Sequence, residues 1–161
     1  MDKIIFIPCN ISPLKTEQSP SSSEHRIDML RRAIEDQPLF DFSDYEIKKG
    51  EVSYTYDTLV EMKRHYKEIE LIIGYDNLVV FDKWYKPKEI FDIVKVVVMK
   101  RSVDELHAKN LEFYDKAIIV DTPYIEISST DIRERIKNNL SIDFLVPEKV
   151  KEYIFENGLY R

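Results

Sequence analysis

Glycine is scarce in this chain, at 3 of 161 residues. A glycine-rich phosphate loop is therefore excluded: neither G-x-G-x-x-G nor G-x-x-x-x-G-K-[S/T] occurs. Cysteine is scarcer still. The single Cys9 rules out an internal disulfide and fits a reducing, cytoplasmic setting. The three histidines, His25, His65 and His107, lie far from one another and from Cys9, with no zinc-site spacing. Each falls in a predicted helix without a nucleophile at a telling distance, so all three read as surface or helix-packing residues. No Ser-His-Asp arrangement or carboxylate pair stands out. No apolar run approaches the length of a membrane span, and no signal peptide is recognisable, so no membrane partner is expected. The net charge of −6 argues against broad, charge-driven binding of nucleic acid. A local basic pocket for a small anion remains compatible with it. There is no internal repeat and no long low-complexity tract.

What is present describes a soluble α/β domain. A length of 161 residues with 43% hydrophobic content suits one domain with a real core. Residues 3–8, 70–74 and 94–99 are continuous apolar runs of strand length, the pattern of strands buried on both faces of a parallel sheet. Residues 40–47 alternate and predict a strand; 117–120 predict a further one. Helices are expected from Ser22 or Ser23 to about 36, over 56–66, from Pro87 over 88–93, over 103–114, over 130–138, and from Pro147 to the stop at Gly158. A short helical turn is expected over 77–81. Strands alternating with helices imply βα units in a doubly wound parallel sheet with helices on both faces. Ligands in such sheets bind beyond the carboxyl ends of the strands.

Candidate site residues fall just after strands. In residues 127–135, Ser128, Ser129 and Thr130 sit where a helix N-cap belongs, and Arg133 follows one turn inside. Free N–H groups, hydroxyls and a guanidinium suit phosphate; an ordinary capped helix explains the same residues. Arg135, two positions from Arg133, faces elsewhere and reads as a surface arginine. Gly74 and Asp76 close the 70–74 strand. Glycine there admits a ligand backbone and aspartate can accept from ribose hydroxyls, or the pair is a plain turn. Trp84 lies in a Lys-Trp-Tyr-Lys cluster suited to stacking on a ring and attracting a carboxylate, or it is a core tryptophan. Residues 53–58, with Tyr54, Thr55 and Asp57, open a helix with hydroxyls and free N–H groups. Lys15 and Arg101 follow strands and could each reach a phosphate.

Taken together, IFIPCNISPLK (5–15), HRIDMLRRAI (25–34), SYTYDT (53–58), LIIGYDNL (71–78), KWYK (83–86), EISSTDIRER (126–135) and VPEKVKEYIFENGLY (146–160) resemble the bacterial nicotinate-nucleotide adenylyltransferases of NAD synthesis. The ISSTxIR element is common to neighbouring nucleotidyltransferases; SYTxDT, the WYK cluster and the ENGLY tail narrow the match. The resemblance implies a Rossmann-like single domain over 1–161 that transfers AMP from ATP to nicotinate mononucleotide, with Mg²⁺ as counter-ion. It implies that Tyr54, Thr55, Asp57 and Trp84 hold the nicotinate mononucleotide together with Lys15. Gly74, Asp76, Arg101, Ser128, Ser129 and Arg133 would hold ATP. A pantetheine-phosphate adenylyltransferase and a non-catalytic nucleotide-binding remnant are the alternatives, and a homo-oligomer is left open.

Three departures from the family pattern carry expectations. Pro-Pro-His-Lys is Ser12-Pro13-Leu14-Lys15 here, and Arg-Pro-Gly is Arg101-Ser102-Val103. The family's opening strand, with its Gly-Gly-x-Phe-Asp-Pro-x-His loop and His-x-Gly-His helix start, has no counterpart, so no catalytic histidine pair is present and the central strand of the sheet is expected to be missing. Residues 3–8 and 70–74 should then each lack a pairing neighbour. The expected consequence is negligible turnover by residues 1–161 alone. The coding sequence upstream of Met1 should read through the absent motif if the start is misassigned.

Overall fold

The computed structural model describes residues 3–13, 21–101, 112–123 and 125–161, and of Arg101 the backbone alone. The expected helix over 103–114 falls almost wholly outside the described residues, as do Lys15 and His107. The chain divides into two compact units, Met1–Val52 with Glu126–Arg161, and Ser53–Ile125.

In the first unit, β1 (Ile4–Phe6) pairs in parallel with β2 (Phe40–Phe42), with Ile4 opposite Phe40 and Phe6 opposite Phe42. The crossover is α1 (Ser23–Ile34), whose N-cap Ser22 accepts the His25 N–H at 3.3 Å. Glu24 in its first turn and Arg31 and Arg32 in its last complement the helix dipole. The strand expected over 40–47 stops at Phe42, and Tyr45–Lys49 forms the short helix α2. Ser43 Oγ accepts the Tyr45 N–H and turns the chain out of the ladder. Gly50, at φ 71°, closes α2 in the left-handed region that a glycine enters without steric cost.

The core of this unit is Ile136, Ile142, Val150 and Ile154, with Met29 and Ala33 of α1 packed against them. Ile136 comes from α6 (Ser129–Lys137); Val150 and Ile154 come from α7 (Glu148–Glu156). His25 is a helix-packing residue: its ring meets Tyr153 of α7 edge-on, and Nδ1 lies 2.8 Å from the Tyr153 hydroxyl. Arg26 donates to the carbonyls of Cys9 and Ser21 and to Ser23 Oγ, tying the segment after β1 to the start of α1.

In the second unit, β3 (Glu70–Gly74), β4 (Lys95–Arg101) and β5 (Ile118–Thr122) form a parallel sheet in the order β3-β4-β5. Around it lie α3 (Thr55–Met62), α4 (Tyr75–Val79), a 3-10 turn over Phe81–Lys83 and α5 (Pro87–Ile93). Leu59, Leu78, Phe81, Ile90, Val96, Val98 and Phe113 are buried together. The apolar run of β4 reads as buried on both faces, yet burial alternates. Val96 and Val98 are sealed, while Met99, Ile72 of β3 and Val120 of β5 are exposed. One face of the sheet carries the packed side chains; strand pairing alone satisfies the other.

The strands thus form two sheets, and β1 and β3 each pair on one side only among the described residues, as expected of the two runs without a neighbour. No described helix is long and apolar enough to cross a membrane.

Two ion pairs carry a pH signature. Lys151 lies 2.7 Å from Asp143, which also accepts from Ser141 Oγ at 2.6 Å; Lys3 lies 2.9 Å from Asp41. These bonds hold both carboxyls below their ordinary 3.8. The unfolded chain therefore takes up these protons first, and the pairs stabilise the fold above pH 3.8 and fade as pH falls through the lower folded values. Asp143→Asn should lower the melting temperature slightly at pH 7, since the pair is exposed. Melting curves of variant and wild type should converge as pH falls below 3.8 and through the lowered folded value.

Candidate functional site

In the second unit the structure brings the two segments read for the pyridine substrate into contact. Tyr54 is the N-cap of α3, in extended backbone (φ −103°, ψ 121°), and its own side chain makes no cap hydrogen bond. Asp57 lies in the first turn. The ring of Tyr54 lies 4.9 Å from that of Tyr85, and Tyr56 meets Tyr85 edge-on at 6.1 Å. Residues 54–56 are thereby joined to the Trp84-Tyr85-Lys86 segment.

Trp84 is partly buried. It stacks on Phe81 at 4.6 Å and 25°, and Phe81 is fully buried against Phe91 and Phe113. The core reading of this tryptophan therefore holds for one face of the indole. Its Nε1–H is buried and has no hydrogen-bond partner among the described residues. A buried indole donor without an acceptor is costly, and it marks a place where a ligand acceptor is welcome.

Gly74 closes β3 and is followed at once by α4, with Asp76 in the first turn. Its φ of −77° is open to any residue; the constraint is space. A Cβ on Gly74 would sit 2.6 Å from Asp76 Oδ1. The aspartate thus folds back over the bare Cα, and its carboxylate owes its position to the missing side chain. Arg101 ends β4, paired with Thr122 of β5. That is the carboxyl end of the strand, where the sequence reading placed it.

In the first unit, Ser128 is the N-cap of α6. Its Oγ accepts the Asp131 N–H at 3.0 Å and donates to Asp131 Oδ2 at 2.7 Å. The hydroxyl is used up locally, and Asp131 sets a negative charge in the first turn. The exposed Ser129 opens the helix, where the leading N–H groups have no intrahelical acceptor. Arg133 turns back to the helix start and donates to Thr130 Oγ1 at 3.2 Å. Arg135 points the other way and donates to the Ser141 carbonyl at 2.7 Å. The two arginines occupy different faces, as their spacing predicts.

Sequence reasoning passed over Tyr85 and took the two lysines of the cluster together, without telling Lys86 from Lys83. The Lys-Trp-Tyr-Lys cluster signalled them, but which lysine packs on which ring depends on backbone geometry. Among the described residues no group of three His, Cys, Asp or Glu side chains is placed to hold a metal ion.

Residues 1–135 match the model of the cytidylyltransferase-like family. The chain is 40% identical to a probable nicotinate-nucleotide adenylyltransferase of Hydrogenobaculum sp., over 99% of this chain and 83% of that protein. It is 37% identical to the nicotinate-nucleotide adenylyltransferase of Bacillus subtilis, with 99% and 83% covered. Its fold superposes with a TM-score of 0.80, at 18% identity, on Plasmodium falciparum nicotinic acid mononucleotide adenylyltransferase complexed with NaAD, covering 99% of this chain and 83% of that one. On this agreement of sequence and fold, the chain belongs to the cytidylyltransferase-like family, among its nicotinate-nucleotide adenylyltransferases.

Proposed function

We propose that the protein transfers the adenylyl group of ATP to nicotinate mononucleotide, giving nicotinate adenine dinucleotide and pyrophosphate, in cytoplasmic NAD synthesis. The observation that carries this reading is the contact between residues 54–56 and 84–86. It sets a helix start, a stacked indole and tyrosine rings side by side in a chain 40% identical to a probable nicotinate-nucleotide adenylyltransferase.

In the reaction a phosphate oxygen of the mononucleotide bonds to the α-phosphorus of ATP, and the bond from that phosphorus to the bridging oxygen of pyrophosphate breaks. Such a transfer asks the protein for alignment and for positive charge where negative charge builds. Thr55 and its neighbours offer N–H groups to the pyridine carboxylate, Trp84 offers the uncovered part of its ring, and Tyr54 and Asp57 flank them. Lys15 binds the mononucleotide's phosphate. Asp76, held over Gly74, accepts from a ribose hydroxyl. At the start of α6, Ser128, Ser129 and Arg133 take phosphate oxygens of ATP; to serve there, the Ser128 hydroxyl must turn from Asp131 to the ligand. Arg101 keeps the ATP role that the family resemblance implies. Mg²⁺ belongs to this reading as the counter-ion of ATP, part of the substrate.

Pyrophosphate release with ATP and each of nicotinate mononucleotide, nicotinamide mononucleotide and phosphopantetheine tests the acceptor, in a version extended to the full length of the relatives, of which this chain covers 83%. Binding is followed in parallel through the fluorescence of Trp84, the one tryptophan in the chain. Nicotinate mononucleotide should be preferred; a preference for phosphopantetheine would overturn the reading. Arg133→Ala should weaken ATP binding about tenfold, as loss of a charge-assisted contact does. Arg135→Ala should leave ATP binding nearly unchanged and lower stability instead, by freeing the Ser141 carbonyl.

A further inference from the structure

The tail Glu156-Asn157-Gly158-Leu159-Tyr160 helps to narrow the family resemblance, yet the proposed reaction gives it no task. Its geometry is specific. The N–H of Gly158 bonds the Phe155 carbonyl at 3.2 Å and that of Leu159 the Ile154 carbonyl at 3.0 Å, a Schellman close of α7 with Gly158 at φ 59°. Leu159 thereby folds back onto the core of Ile136, Ile142, Val150 and Ile154. Tyr160 comes next, at φ 64°, a left-handed backbone that a residue with a side chain rarely adopts. Such conformations persist where surrounding structure imposes them, and they gather at functional positions. Tyr160 rests on the same core, and its hydroxyl lies 2.9 Å from Ser21 Oγ.

Ser21 is also gripped by Arg26 of α1. Its Nε donates to the Ser21 carbonyl at 3.3 Å, one terminal nitrogen donates to the Cys9 carbonyl, and the other donates to Ser23 Oγ at 3.1 Å. One guanidinium thus fastens the chain where it leaves β1 and where it enters α1. Its planar fork of five donors suits two carbonyls at once; the single ammonium of a lysine does not. The first of these ends is fixed onward. Asn10 donates to the Glu51 carbonyl at 3.1 Å, and Ile11 bridges in parallel to Val52, directly before the 53–58 motif in the chain. Between the two ends comes Lys15, which lies outside the described residues and which the proposed function gives to the mononucleotide's phosphate.

We propose that Arg26 and Tyr160 are positioning residues for the mononucleotide: by fixing Cys9 and Ser21 they set the span of chain that carries Lys15, and with it where that lysine meets the phosphate. This rests on the assignment of Lys15 to that phosphate. Neither residue has to touch the ligand. A charge carried on an untethered segment must order that segment when it binds, and the cost of ordering is subtracted from the affinity. Ends that are already fixed leave less to order.

The test is calorimetric titration, in the version extended to the relatives' length, with nicotinate mononucleotide and with nicotinate riboside, the same molecule without its phosphate. Arg26→Lys, which keeps the charge, should weaken the mononucleotide about tenfold and Tyr160→Phe about threefold, the scale of one or two lost hydrogen bonds. Each should leave the riboside within about twofold. In a Lys15→Met background neither substitution should weaken the mononucleotide further, because the effect is exerted through that lysine. Tyr160→Phe removes one hydroxyl and keeps the ring, so it decides the question if Arg26→Lys fails to fold. Equal weakening of both ligands would overturn the proposal, since a structural prop does not distinguish them. Losses that add in full to that of Lys15→Met would overturn it too, as would a mononucleotide affinity unchanged in both variants. If Lys15→Met alone changes nothing, the assignment of that lysine falls and this inference falls with it.

Discussion

The fixed position of Phe81 is the constraint on which the second unit depends. The ring is fully buried, and three aromatic side chains lean on it: Trp84, Phe91 and Phe113. Removing such a ring would cost about 3–5 kcal/mol. Its effect on the candidate site is geometric. Phe81 anchors the indole of Trp84 through one face, which sets where the chain runs next. Two residues on, the backbone turns left-handed at Lys86 and enters α5 through Pro87. The tyrosines of α3 then find Tyr85 and Lys86 within reach. A core phenylalanine thus positions the Trp84-Tyr85-Lys86 segment from beneath.

Electrostatics at the start of α6 pull in two directions. The helix N-terminus and Arg133 favour an anion. Asp131, in the first turn and engaged by Ser128, opposes one. Without ligand the cap satisfies itself, which spares the helix an open N-terminus. The proposed ATP role would require the serine hydroxyl to exchange one acceptor for another and Arg133 to offset the charge of Asp131. The cap is what the structure shows.

Much of the fold was legible in the residues. Apolar runs marked β1, β3 and β4; Ser22 and Ser128 marked two caps; Gly158 marked an end. The alternation over 40–47 misled, because Phe40 and Phe42, and again Tyr45 and Ile47, are two residues apart; the step of three between Phe42 and Tyr45 breaks the strand period where Ser43 Oγ accepts the Tyr45 N–H and the chain enters α2. Burial of β4 was overstated for a related reason. A run such as Val-Lys-Val-Val-Val-Met shows that a strand can be buried on both faces, and packing decides whether it is. At the site, motif residues such as Thr55 and Trp84 could be named in advance. The lysines beside Trp84 could be named too, but that Lys86 alone of them packs on Tyr56 and Tyr85 follows from contacts that no spacing encodes.

The sequence by itself determined the class of the protein, since periodicity and capping chemistry are local and motif order is carried in the chain. It also determined which residue types are available for anions and aromatic rings. The tertiary structure alone decided that Trp84 lends one face to the core, that Asp76 folds over a bare Gly74, that Arg133 and Arg135 part ways, and that Lys86 rests on two tyrosines. Each of these depends on distances between residues far apart in the chain or on a backbone conformation imposed by packing. Such facts arise only when side chains compete for the same space.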